Sequence, residues 1–246
     1  MAEEHNRMRL LLAMGCALVL PCGVLSAAVF DLASATDLFV PTFRGNAHTT
    51  WVGWDTFDDG GTLSEVINDT TPDLGTDPGS FVTTSGEDHL SGSGNYYSGG
   101  TPVAETVTFA THAGVDGFTT VIVQAMTLFG GWGDVVQFGT IDGVAPILVL
   151  QSDNQRTSFG TTGGSLFVKY EIAGPITTPE FAITTSGFGS PTSFDQLVID
   201  TLWSPTGYAT DTAVATPEPA STIAALIAIV GFAVRPRRWS SPSLRR

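Results

Sequence analysis

Carboxylates dominate the side chains that could do chemistry. Asp69, Asp73 and Asp77 stand four residues apart in a stretch punctuated by Pro72, Gly75 and Pro78. Such a loop could curl around a hard cation, so these three are candidate ligands for a structural Ca2+. The competing reading is turn chemistry, which favours Asp for its side-chain bonds to nearby backbone. A second acidic cluster, Asp55, Asp58 and Asp59, precedes Gly60-Gly61. Neither cluster follows the alternating ligand spacing of a helix-loop-helix calcium site. Glycoside hydrolysis needs two carboxyl groups roughly 5 to 9.5 Å apart. The adjacent pairs Asp58-Asp59 and Glu87-Asp88 point to opposite faces if extended, and no Glu-x-Asp-x-Glu run occurs.

Other catalytic patterns are missing from the sequence. There is no Gly-x-Ser-x-Gly elbow, and His48, His89 and His112 are scattered, with no His-x-His or His-Glu-x-x-His spacing. Cys16 and Cys22 both lie near the amino end. A domain that begins after them has no thiolate and no disulfide. Aromatic residues offer a different chemistry. Trp54, Tyr96, Tyr97 and Trp132 neighbour glycines and acidic residues, a setting that suits stacking on sugar rings. Trp51 and Trp54 fall on opposite faces of one strand, so one of them packs the core. The same rings equally suit the capping of a core.

The elements that must carry these residues read as strands. Leu166, Val168, Tyr170 and Ile172 alternate with Phe167, Lys169 and Glu171, which predicts a half-buried strand with Lys169 and Glu171 outward. Thr120–Phe129 and Ile147–Leu150 are apolar on both faces and predict interior strands. Further strands are expected over Thr50–Phe57, Val103–Thr111, Asp134–Ile141, Phe181–Thr185 and Asp195–Trp203. Asp142-Gly143 is a tight hairpin signal. Asn68–Gly79 and Ser85–Gly100 read as loops. This pattern predicts an all-β antiparallel sandwich or jelly roll, with an N-terminal signal helix and a C-terminal transmembrane helix.

The two ends differ from the middle. Arg7 and Arg9 precede an apolar run from Leu10 to Leu20, and Ser26-Ala27-Ala28 supplies small residues for a cut between Ala28 and Val29. That order makes a secretory signal peptide, read by the secretion machinery. At the other end Ala220–Val234 is uncharged and mostly apolar, and Arg235, Arg237 and Arg238 follow at once. The run spans membrane lipid if the bilayer thins or the arginines snorkel, and those arginines set the tail on the cytoplasmic side. The 246 residues carry a formal net charge of −14. From 29 to 216 there are 21 Asp and Glu against three basic residues, a net of −18. Such a surface repels polyanions and argues against nucleic acid as a partner.

Pro217-Glu218-Pro219, the apolar run and the arginines occur in one order over about 216 to 238. The segment resembles the PEP-CTERM sorting signal, also catalogued after the C-terminal end of ice-binding proteins. The resemblance implies export, membrane retention and recognition by an exosortase-type transpeptidase, with Pro217, Glu218 and Pro219 as its motif. Thr216 stands where valine is common in that family, and the tail runs past Arg238. The organisation expected is a signal peptide at 1–28, an acidic β-sandwich domain at 29–205 and a linker at 206–215. A sorting segment at 216–238 and a basic cytoplasmic tail at 239–246 complete it. The function expected is a non-catalytic role at the cell surface or in the extracellular matrix, with polysaccharide as a candidate ligand. The alternative is a secreted jelly-roll glycoside hydrolase acting on extracellular glycans.

Overall fold

The computed structural model describes residues 28–32, 37–57, 67–85, 88–90, 94–98, 103–112, 116–127, 136–156, 162–185 and 193–214. The strands there are β1 (Val29–Asp31), β2 (Thr49–Trp54), β3 (Asn68–Asp69), β4 (Leu74–Gly75), β5 (Gly79–Ser85), β6 (Asp88–Leu90), β7 (Tyr96–Ser98) and β8 (Val103–Phe109). They continue as β9 (Phe118–Thr127), β10 (Val136–Phe138), β11 (Leu148–Arg156), β12 (Thr162–Ala173), β13 (Glu180–Thr185), β14 (Ser193–Ser204) and β15 (Thr212–Val214). The chain is all-β among the described residues, and its two main sheets are antiparallel.

A five-stranded sheet runs β10-β13-β8-β5-β3. A larger sheet runs β11-β12-β9-β14-β2-β4, with the β6–β7 pair joined at β14. The first sheet's inward side chains alternate along β8, where Val103, Glu105, Val107 and Phe109 are buried and the residues between are half-buried. They meet Val52, Trp54, Val121, Val168, Tyr170 and Ile199 of the larger sheet in one core. Alternation on one sheet facing alternation on another is what a period of two dictates when apolar faces close on each other.

The larger sheet is buried on its other face too. Ile122 and Phe167 pack there against Leu32, Phe43, Ala209 and Ala213. Those partners come from the two ends of the described chain, which also pair: β1 runs parallel to β15, Val29 opposite Thr212 and Asp31 opposite Val214. Burial on both faces explains the continuous apolar run of β9, which lies between β12 and β14.

Several expectations change accordingly. The segment 206–215, expected as a linker, is packed on the sheet as far as Val214. Ala209 is 8% and Asp211 2% exposed, because they cover apolar side chains the strand pattern leaves on the outer face. Lys169 does not face solvent. It is 6% exposed, and its ammonium donates to the Ala209 carbonyl at 2.7 Å and pairs with Glu171 at 2.9 Å. Ile147–Leu150 is not an interior strand. β11 is an edge, with Ile147 and Val149 exposed and Leu148 and Leu150 packed on the outer layer. The stretch 68–79, expected as a loop, holds β3 and β4.

The Asp142-Gly143 turn forms as expected. Both residues adopt positive φ, 47° and 79°, and Ile141 and Val144 exchange backbone bonds of 3.0 and 2.9 Å. Asp142 also accepts hydrogen bonds from Thr177 and Thr178. Slight burial works against its ionised form, but those bonds win and hold its carboxyl below the usual range.

Candidate functional site

A cleft of about 500 Å³ opens between the 42–48 turns and the 202–211 segment. Two residue stretches make its walls. The first, from Pro41 to His48, turns through backbone bonds from Arg44 to Pro41 and from Asn46 to Phe43. It is pinned in three places. The Arg44 guanidinium forms a two-pronged ion pair with Asp200, at 2.5 and 2.7 Å. The Thr42 amide and hydroxyl donate to Asp211 at 2.8 and 2.9 Å. The Trp203 amide donates to the His48 carbonyl at 3.0 Å. The second wall is held by the Ala209 amide donating to the Thr120 hydroxyl and by the Lys169 bond to Ala209.

Trp203, Tyr208 and His48 line this cleft, with Ser204, Thr206 and Thr210 among them. Trp203 and Tyr208 are half-buried. Tyr208 rests edge-on against Phe118, centroids 5.1 Å apart. Trp203 lies over Gly117, where a Cβ would stand 2.6 Å from the indole nitrogen. Any larger residue at 117 would push the ring out of place. Fixed aromatic faces beside short hydroxyl side chains can stack on the apolar face of a sugar and bond its hydroxyls.

The aromatic residues expected to bind sugar are placed elsewhere. Trp54 and Tyr96 are both 0% exposed, part of the core between the sheets, so neither reaches a ligand. Their ring neighbours are Phe57, Phe81 and Phe194, an aromatic cluster that fills one end of the core. Tyr96 donates its hydroxyl to the buried Glu105. Trp51 is on the opposite face from Trp54, with the Arg44 guanidinium 4.5 Å above its ring. The Tyr97 side chain and all of Trp132 lie outside the described residues, as do Pro217, Glu218, Pro219, Arg235, Arg237 and Arg238. Ala28 and Val29 are described: Val29 is 59% exposed and opens β1, and the Ala28 carbonyl accepts from the Thr212 amide.

The three candidate calcium ligands each serve a different stretch of backbone. Asp69 accepts from the Thr71 amide, Asp73 from the Thr56 amide and Asp77 from the Trp51 amide. No group of three or more His, Cys, Asp or Glu gathers as a metal site among the described residues. A different acidic meeting occurs at Asp73, which hydrogen-bonds to Asp55, with Asp195 close to Asp55. Burial pushes the Asp73 carboxyl above its usual range, and the Asp55 carboxyl adds to this.

Burial likewise raises Asp195, against a bond from Asn95, and raises Asp200, against the pull of Arg44. A carboxyl raised in the fold binds its proton more tightly folded than unfolded. Its contribution therefore grows as pH falls toward the unfolded value near 4. Asp142 works in the other direction, but its loss begins only as pH falls below that value. We expect the melting temperature to be higher at pH 5 than at pH 8, by calorimetry. An equal or lower midpoint at pH 5 would contradict the burial of these groups.

The sequence holds little that points to this cleft. Trp203 reads as the last apolar residue of a strand, and Tyr208 sits within Pro205-Thr206-Gly207-Tyr208-Ala209-Thr210, a stretch that looks like a tether. Asp211 was the usable signal, an acidic residue among small ones that would cap a passing backbone. Among the described residues no helix is long and apolar enough to cross a membrane, and the candidate span Ala220–Val234 lies outside them. No family model, curated protein or solved structure matches the chain.

Proposed function

We propose that the chain is an exported, membrane-retained protein whose acidic β-sandwich or jelly-roll domain holds extracellular polysaccharide without cleaving it. The observation that carries the glycan half is the cleft of about 500 Å³ with Trp203 and Tyr208 on its walls. Its size suits one or two sugar units, and its bonding groups are mainly uncharged hydroxyls. The export half rests on the signal peptide, the Pro217-Glu218-Pro219 motif, the apolar run and the arginines. In this reading the secretion machinery carries the chain across, the C-terminal helix enters membrane lipid, and an exosortase-type transpeptidase is the partner that acts on it. Pro217 follows the last residue of β15 by only three positions.

The test has two parts. Mass spectrometry of the chain recovered from its host should find an amino end at Val29 and a carboxyl end near Pro217. An end at Arg246 removes exosortase processing. In a panel of soluble polysaccharides, electrophoretic retardation by one glycan should weaken at least about tenfold in Trp203→Ala, a loss of about 1.4 kcal/mol. Release of sugar from that glycan would replace binding with the hydrolase alternative.

A further inference from the structure

His48 and His112 are 64 positions apart, yet the fold brings His48 Nδ1 to 3.0 Å from His112 Nε2. Both side chains are exposed. We propose that this pair is a Cu2+ site, argued from the histidines alone although His48 also lines the proposed glycan cleft. Two imidazole nitrogens on one ion, each at about 2.0 Å and at right angles, lie about 2.8–2.9 Å apart. At a tetrahedral angle the separation is about 3.3 Å. The observed 3.0 Å lies between these two values, within reach of either with a small shift, and among divalent first-row ions Cu2+ binds nitrogen ligands most tightly.

The pair is held in place from both sides. His48 takes a positive φ of 65°, and its carbonyl is tied to the Trp203 amide. A left-handed histidine is uncommon, and it persists only where its surroundings fix it. His112 lies two residues beyond Ala110, whose amide donates to Pro78 and whose carbonyl accepts from Thr50. The Trp203 ring packs against both imidazoles, centroids 5.2 and 5.5 Å away. In the metal-free pair one ring donates its proton to the other. To bind, that proton moves to the second nitrogen of its own ring through solvent, so both facing lone pairs are freed with no change in charge. Since no third His, Cys, Asp or Glu joins the pair among the described residues, water completes the coordination and the ion exchanges.

The untagged full chain in detergent, titrated with Cu2+ in a calorimeter, should bind one ion per chain. Its electron paramagnetic resonance spectrum should show coupling to two nitrogens. His48→Asn, which tolerates the left-handed backbone, and His112→Ala should each weaken binding at least tenfold with an unchanged circular dichroism spectrum, while His89→Ala should not. Copper should also quench Trp203 fluorescence, a signal that Trp203→Phe removes. The absence of saturable binding, or binding that survives both histidine changes, would overturn the proposal.

Discussion

A chain ending at Pro205 will lose its outer layer, whereas one ending at Thr216 will be as stable as a chain that runs on. The shorter chain removes β15, the partner of β1, and with it Ala209 and Ala213, which cover Ile122 and Phe167. It also strips Lys169 of the Ala209 carbonyl and Thr42 of the Asp211 carboxylate. Exposing two or three large apolar side chains costs on the order of 5 kcal/mol, comparable with the whole stability of a small domain. Urea unfolding of the two chains is the check. If 206–215 were a tether, the two midpoints would coincide.

Arg44→Met will cost about 3 kcal/mol at neutral pH, more than most single substitutions. Asp200 is 0% exposed on the side-chain scale and Arg44 17%, so the variant leaves a carboxylate with no countercharge inside the outer layer. Burial and the nearby Asp211 both already raise Asp200, and Arg44 is what opposes them. Without the guanidinium the carboxyl will take up a proton, and the cost will shrink as pH falls from 8 to 5. Arg44→Met combined with Asp200→Leu will recover most of the loss, because the pair is then replaced by packing rather than broken. A pH-independent cost for Arg44→Met would show that its role is contact with Trp51 alone.

Strand-forming pattern made much of the fold legible. β8, β12, β13 and β14 were readable because their apolar residues recur every second position or run without a break, and Asp142-Gly143 marked its turn by conformational preference. What the pattern could not convey is a second covered face. Lys169 read as solvent-facing because charge on a strand usually means water, yet it is buried against the Ala209 carbonyl and Glu171. Segments 37–48 and 205–211 have no strand period to announce them. They dock through side chains that meet residues 40 to 169 positions away, such as Lys169 with Ala209, Gln124 with Phe39 and Asp211 with Thr42. The cleft was hidden for the same reason, since both of its walls are made from such segments. Trp54 and Tyr96 illustrate the converse: large rings near glycines look available, but burying them stabilises more than leaving them out for a ligand.

The most direct test of the proposed glycan cleft is amide hydrogen exchange on the chain, with and without a polysaccharide that retards it in electrophoresis. Protection confined to residues 42–48 and 203–211, and absent in Trp203→Ala, is the result predicted here. Protection centred on the Asp55 and Asp73 end, with the cleft segments unchanged, would contradict it.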